Sequence, residues 1–155
     1  MPKTEKSLPV LILDVPRIPI EVLENFQKEN HLSLKHQNPA LRINGQAAFS
    51  LKDISKIKLP DDSKRLAMLL LSHGDKGNFG GLAQVFQLLK FKDKIPKDWE
   101  DSTLVFPGTF FLDFRNSNIL VPCLDKFKNE DWTLHLKTVN SDFGSDVKIV
   151  EVHKR

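Results

Sequence analysis

The chain has one cysteine, Cys123, and no tyrosine among its 155 residues. A lone cysteine excludes an internal disulfide and fits a reducing compartment, so we expect the protein in the cytoplasm. No apolar run approaches the ~20 residues that a membrane-spanning helix requires, and we expect no membrane span. The lack of tyrosine removes a residue type common at interfaces, but eleven phenylalanines supply apolar side chains for a core or a contact.

Signatures of catalysis, cofactors and metals are also missing. No Gly-Lys-Ser/Thr sequence marks a phosphate-binding P-loop, and the spaced glycines of a dinucleotide-binding unit are absent. The chain has no Gly-x-Ser-x-Gly elbow, and its histidines, acids and cysteine lack metal-ligand spacing. We therefore expect no cofactor and no metal, and the sequence favours a binding protein over an enzyme.

Glycine is scarce but strongly clustered. Four of the seven glycines fall within eight residues: Gly74, Gly77, Gly80 and Gly81. Glycine permits positive φ angles and close approach of another backbone or a ligand, so the cluster predicts an unusual chain path. We interpret it as a connection between two helices, with four residues as candidate contacts for a partner, small ligand or anion: His73, Asp75, Lys76 and Asn78.

Hydrophobic periodicity predicts one α+β domain over residues 9–155, preceded by a flexible arm at 1–8. We expect a strand near 9–14, a helix over 20–29 with an apolar stripe that packs on a sheet, and a turn at Asn44-Gly45. Ser50–Asp53 resembles a capping box that begins a helix to about residue 58. Segments 64–71 and 82–90 predict a central αα-hairpin.

The second half of the chain predicts most of a mainly antiparallel sheet of four or five strands. Pro107-Gly108 predicts a hairpin turn, and 132–139 and 146–153 alternate like two paired strands that bring His135 and His153 together. The predicted fold class is therefore a single α+β domain, with helices that include the central αα-hairpin packed on this sheet.

Three functions remain open. The leading hypothesis is a non-enzymatic protein-interaction subunit or adaptor, with Trp99 either covering a sheet edge or anchoring a protein partner. The second is a winged-helix-like nucleic-acid-binding protein, since the order of the predicted helices and hairpin matches that fold. Its candidate contacts are Lys52, Lys56, Gln84, Gln87 and Lys90. The third is a small-ligand or anion-binding protein, or an enzyme, that uses the glycine-rich loop at 72–81.

Overall fold

Eight β-strands form one mixed sheet in the computed structural model, which describes residues 9–37, 45–53, 79–113, 115, 118–127, 129–138 and 147–154. In chain order the elements are β1 (Leu11–Val15), α1 (Ile20–Glu29), β2 (Leu32–Gln37), β3 (Gly45–Asp53), α2 (Leu82–Lys90), β4 (Thr103–Val105), β5 (Thr109–Asp113), β6 (Ile119–Lys126), β7 (Trp132–Thr138) and β8 (Val147–Lys154). Two single-turn 3₁₀ helices, Lys92–Lys94 and Lys97–Trp99, connect α2 to β4.

The strand order is β1-β3-β8-β4-β6-β5-β2, and β7 pairs with the other edge of β6. The β4–β8 pair is parallel and the other pairs are antiparallel. The sheet thus combines strands from both ends of the chain, since β1 lies beside β3 and β3 lies beside β8.

Alternation along the strands places a large apolar cluster on one face of the sheet. β1 illustrates the pattern, because Leu11, Leu13 and Val15 are buried while Ile12 is exposed. The cluster also contains residues of β3, β8 and α2, and Trp99 is its largest fully buried side chain. A second cluster, with residues of both helices together with β2, β5 and β6, holds α1 and α2 against the sheet.

The predicted α1 and α2 are confirmed as helices and the α+β class holds, but the predicted arrangement, a central αα-hairpin packed on a small sheet, is wrong. Across the described residues, eight strands and two α-helices form a sheet-dominated structure, instead of a helical hairpin on four or five strands. Segment 64–71, the first helix of the expected hairpin, lies outside the described residues. Strands that belong to the first third of the chain enlarge the sheet beyond the C-terminal half.

Ser50–Asp53 does not begin a helix, because it is the last part of β3. Leu51 lies on the same strand face as Ala47 and Phe49, and the register places Leu51 opposite Val150 of β8. Long-range pairing over 47–53 outweighs the local capping signal. Gly45 has a φ of +80°, as a positive-φ turn residue requires, while the other strand of the expected hairpin lies outside the described residues.

Pro107-Gly108 forms a turn, as predicted, but this turn does not close a hairpin. β4 and β5 run in the same direction along one edge of β6, where Val105 pairs with Cys123 and Phe111 pairs with Leu120. Val105 and Phe111 are six positions apart in the sequence, whereas their partners on β6 are three positions apart. The three extra residues form a bulge between β4 and β5.

The two last strands do not pair with each other. β7 pairs with β6, whereas β8 pairs with β3 and β4. His135 therefore lies opposite Cys123, and His153 lies opposite Ala48. Both strands were predicted as strands, but alternation in a single sequence does not identify the partner of a strand. No helix in the described parts of the chain is both long enough and apolar enough to cross a membrane.

Candidate functional site

An open groove lies between the N-terminal end of α1 and the C-terminal half of α2. It has a volume of about 400 Å³, which is within the ~300–1,000 Å³ typical of ligand-sized clefts. We call it the α1–α2 groove, and its lining residues are Ile18, Pro19, Val22, Phe86, Leu89 and Lys90. Five of these side chains are apolar, so a ligand or partner would gain most from burying apolar surface here.

Contacts on both sides of the groove fix the two helices in place. The Gln87 side-chain Nε2 donates a hydrogen bond to the Pro16 carbonyl oxygen at 3.0 Å, which connects α2 to the segment that precedes α1. Phe26 and Phe86 pack edge to face with ring centroids 6.1 Å apart, and Phe26 also packs beside Phe111 of β5. These contacts join α1 and its preceding segment to α2 through buried and partly buried groups, so the groove is a preformed feature of the described structure.

Exposed apolar side chains are concentrated in residues 10–22, the part of the sequence that supplies the α1 side of the groove. Among the described residues, five large hydrophobic side chains are exposed, and four of them fall in residues 10–22: Val10, Ile12, Ile20 and Val22. The predicted apolar stripe of α1 is therefore only partly buried, since Leu23 is 8% exposed whereas Ile20 is 52% and Val22 is 38% exposed. Of these four exposed residues Val22 lines the groove, and an exposed apolar side chain in a groove is a common property of docking sites.

The described end of the glycine-rich stretch is packed into the sheet. Phe79 forms an isolated antiparallel bridge with Glu151, and the Gly80 N–H donates to the Val150 carbonyl oxygen at 2.8 Å. The Gly108 N–H, in the bulge between β4 and β5, donates to the Gly80 carbonyl oxygen, also at 2.8 Å. Residues 79–80 thus continue the pairing of β8 beyond the point where β4 ends.

The first turn of α2 uses its backbone donors inside the protein. The Gly81 N–H donates to the Gln84 side-chain Oε1 at 2.8 Å, and the Leu82 N–H donates to the Thr109 hydroxyl oxygen at 2.9 Å. A helix N-terminus attracts anions through donors that are not already satisfied. These two donors are satisfied by the chain itself, so they are not available to a phosphate in this conformation.

The structure separates the residues that were predicted as contacts. His73, Asp75, Lys76, Asn78 and Lys56 lie outside the described residues. Trp99 is 0% exposed, and its Nε1–H donates to the Pro9 carbonyl oxygen at 3.1 Å, so its side chain belongs to the core. Lys52 is exposed on β3 and is not part of the groove.

The sequence places Gln84, Gln87 and Lys90 at every third position of α2, which predicts a polar stripe that faces solvent, but the structure buries most of this stripe. Gln84 and Gln87 are each 0% exposed, so the expectation that they face solvent is wrong. Their spacing of three residues indicates one side of a helix, but it does not show whether that side faces solvent or buried backbone groups. Of the three stripe residues only Lys90 is exposed, and it lies in the groove.

A cysteine, a histidine and an aspartate meet on β6 and β7. Cys123 is directly opposite His135, and the His135 Nε2 lies 2.9 Å from the Asp125 Oδ1, an ion-pair distance. Sequence reasoning missed this juxtaposition because it paired β7 with β8. Cys123 is 0% exposed, and burial raises the pKa of its thiol to about 12, so the thiol stays protonated and is a poor nucleophile. The described residues contain no group of three metal-ligand side chains.

Cys123 should therefore be unreactive in the folded protein. At about pH 8, a thiol reagent should label it about a thousandfold more slowly than in the urea-unfolded chain, where the pKa returns to ~8.5. A native labelling rate within about tenfold of the unfolded rate would show an accessible thiol instead.

The raised pKa of Cys123 also affects the pH dependence of stability. The stabilising effect of the protonated thiol is present below about pH 8.5 and is lost as the pH rises toward 12.

Comparison of the chain with protein-family models, with curated proteins and with solved structures finds no match.

Proposed function

We propose that this chain is a non-enzymatic protein-interaction subunit or adaptor of a larger intracellular assembly, and that a protein partner docks in the α1–α2 groove. The observation that carries the proposal is an open, mainly apolar groove that is lined in part by the exposed side chain of Val22. Removing such side chains from water is the main source of free energy in protein association. A buried, protonated Cys123 is compatible with a reducing cytoplasm, which we propose as the location.

The two other hypotheses have less support among the described residues. The nucleic-acid hypothesis relied on two glutamines and three lysines. Gln84 and Gln87 are buried and cannot contact bases or phosphates in this conformation, which leaves Lys52 and Lys90 as its exposed contacts among the described residues. The ligand-binding hypothesis relied on four side chains that lie outside the described residues. Neither hypothesis gains a specific observation from the described structure, whereas protein docking does.

Introducing a charge into the groove should weaken partner binding. We expect Val22→Lys to weaken the native complex by about 30-fold or more, because an apolar side chain that lines the groove is replaced by a charge that must lose its hydration. The measurement is capture of partners from the native cells on immobilised protein, with mass spectrometry and then a titration of the captured partner. Val22 is 38% exposed, so the variant should fold normally.

Phe127→Lys is the matched control. Phe127 is a large apolar side chain, 60% exposed, and does not line the groove. The same partner should bind the wild type and Phe127→Lys with equal affinity. The proposed function fails if no partner is captured, or if Val22→Lys and the wild type retain the same partner equally well.

A further inference from the structure

The one charged residue of the α1–α2 groove is a cation at its α2 end. Lys90 lines the groove, is exposed, and has no ion-pair partner among the described residues. The other five lining residues are apolar, so the groove combines an apolar lining with a single basic group. An occupant that matched only the apolar part would leave the ammonium group of Lys90 at the interface without a counter-charge.

Beyond Lys90 the charges along the chain balance. From Lys90 to Asp101, a stretch that includes both 3₁₀ turns, the chain has four lysines and four acids: Lys90, Lys92, Asp93, Lys94, Lys97, Asp98, Glu100 and Asp101. Lys92 has an ion pair of its own with Asp131 at 3.2 Å. The counter-charge that an occupant of the groove needs is therefore set by Lys90, which lines the groove.

We infer that the occupant is a segment of a protein partner with large apolar side chains and an adjoining acidic residue, the apolar part in the groove and the acid facing Lys90. This inference rests on the proposed function and adds the chemical class of the partner. Complementary charge gives such a complex its orientation and its salt dependence.

A phage-displayed library of random peptides tests the inference without knowledge of the native partner. The library is selected on the full wild-type chain, after removal of phage that bind Val22→Lys. We expect enriched peptides that combine large apolar residues with an excess of Asp and Glu. Synthetic copies should bind Lys90→Glu about tenfold more weakly and Lys90→Gln about two- to fivefold more weakly than the wild type. Affinity for the wild type should fall as salt is raised.

Lys52→Glu is the matched charge reversal, since Lys52 is exposed on β3 outside the groove. The Lys52→Glu variant should bind the same peptides with the affinity of the wild type.

Peptides that depend on Val22 but lack acids, or that bind Lys90→Glu as tightly as the wild type, overturn the inference while leaving the proposed function intact. Absence of any Val22-dependent peptide also overturns it. The inference is also overturned if the protein alone forms a concentration-dependent dimer and Val22→Lys dissociates that dimer, because a second copy of the chain would then fill the groove. The proposed function is judged separately, by capture of the native partner.

Discussion

Gly108→Ala should destabilise the protein by about 3 kcal/mol or more, the largest effect expected of any one-methyl substitution in the described structure. A Cβ atom at Gly108 would lie 2.3 Å from the Phe79 carbonyl oxygen and 2.8 Å from the Gly80 carbonyl oxygen. Both contacts are with backbone that is hydrogen-bonded to the sheet, so no side-chain rotation relieves them. Urea unfolding measures this change, because the free energy of unfolding is obtained from the midpoint and the slope of the transition.

Two other glycines provide controls for Gly108→Ala. Gly45→Ala meets no atom within 4 Å but must adopt a φ near +80°, and it should cost about 1 kcal/mol. Gly80→Ala places a Cβ 3.1 Å from the Phe106 ring, a contact that a small side-chain shift can relieve, so its effect should be smaller than that of Gly108→Ala. If Gly108→Ala is no more destabilising than Gly45→Ala, residues 79–80 are not packed against the bulge as described.

Trp99→Ala should lower the free energy of unfolding by about 3–5 kcal/mol. Trp99 is fully buried in the main apolar cluster, and its indole N–H is bonded to the Pro9 carbonyl oxygen. Truncation therefore opens a large cavity and leaves a part-buried acceptor without its donor. Thermal and urea unfolding of the purified variant measure the loss.

Trp99→Phe separates the contribution of core packing from that of the hydrogen bond to Pro9, because it keeps an aromatic ring in the core but removes the indole N–H donor. We expect a smaller loss, about 1–2 kcal/mol. The account of Trp99 as a core residue is contradicted if Trp99→Ala unfolds like the wild type but loses a protein partner. That result would make Trp99 the exposed anchor that the sequence also allowed.

Local elements could be predicted from the sequence better than their arrangement. Periodicity predicted α1, a short apolar run predicted β1, and alternation predicted β7 and β8. The errors at Ser50–Asp53 and Pro107-Gly108 have one physical cause. At Ser50–Asp53 a local cap signal, and at Pro107-Gly108 the expected pairing of the two flanking strands, is overruled by pairing with distant strands, which a short window does not encode.

The glycine cluster was predicted to mark an unusual chain path, and its described end shows a specific cause. Gly80 packs against Phe106 and Val150 while its two backbone groups bond to β8 and to Gly108, so close approach is the relevant property there. Proximity of residues 79–81 to residue 108 follows from the sheet order, which the sequence does not reveal.

The α1–α2 groove could not be predicted, because it combines residues near 18–22 with residues near 86–90. The sequence did contain part of the signal, since α1 has more apolar residues than one packed face needs. We interpreted all of them as core, whereas the structure buries Leu23 and leaves Ile20 and Val22 exposed. Relative solvent exposure depends on the neighbouring elements, and these were assigned incorrectly.

Hydrogen–deuterium exchange of the wild-type chain, alone and with its captured partner, tests the central claim most directly. Docking in the α1–α2 groove predicts slower exchange on binding in the backbone amides of residues 20–22 and 86–90, and little change in β7, which does not line the groove. Slower exchange confined to regions outside the groove, with α1 and α2 unchanged, would contradict the proposal that this groove is the docking site.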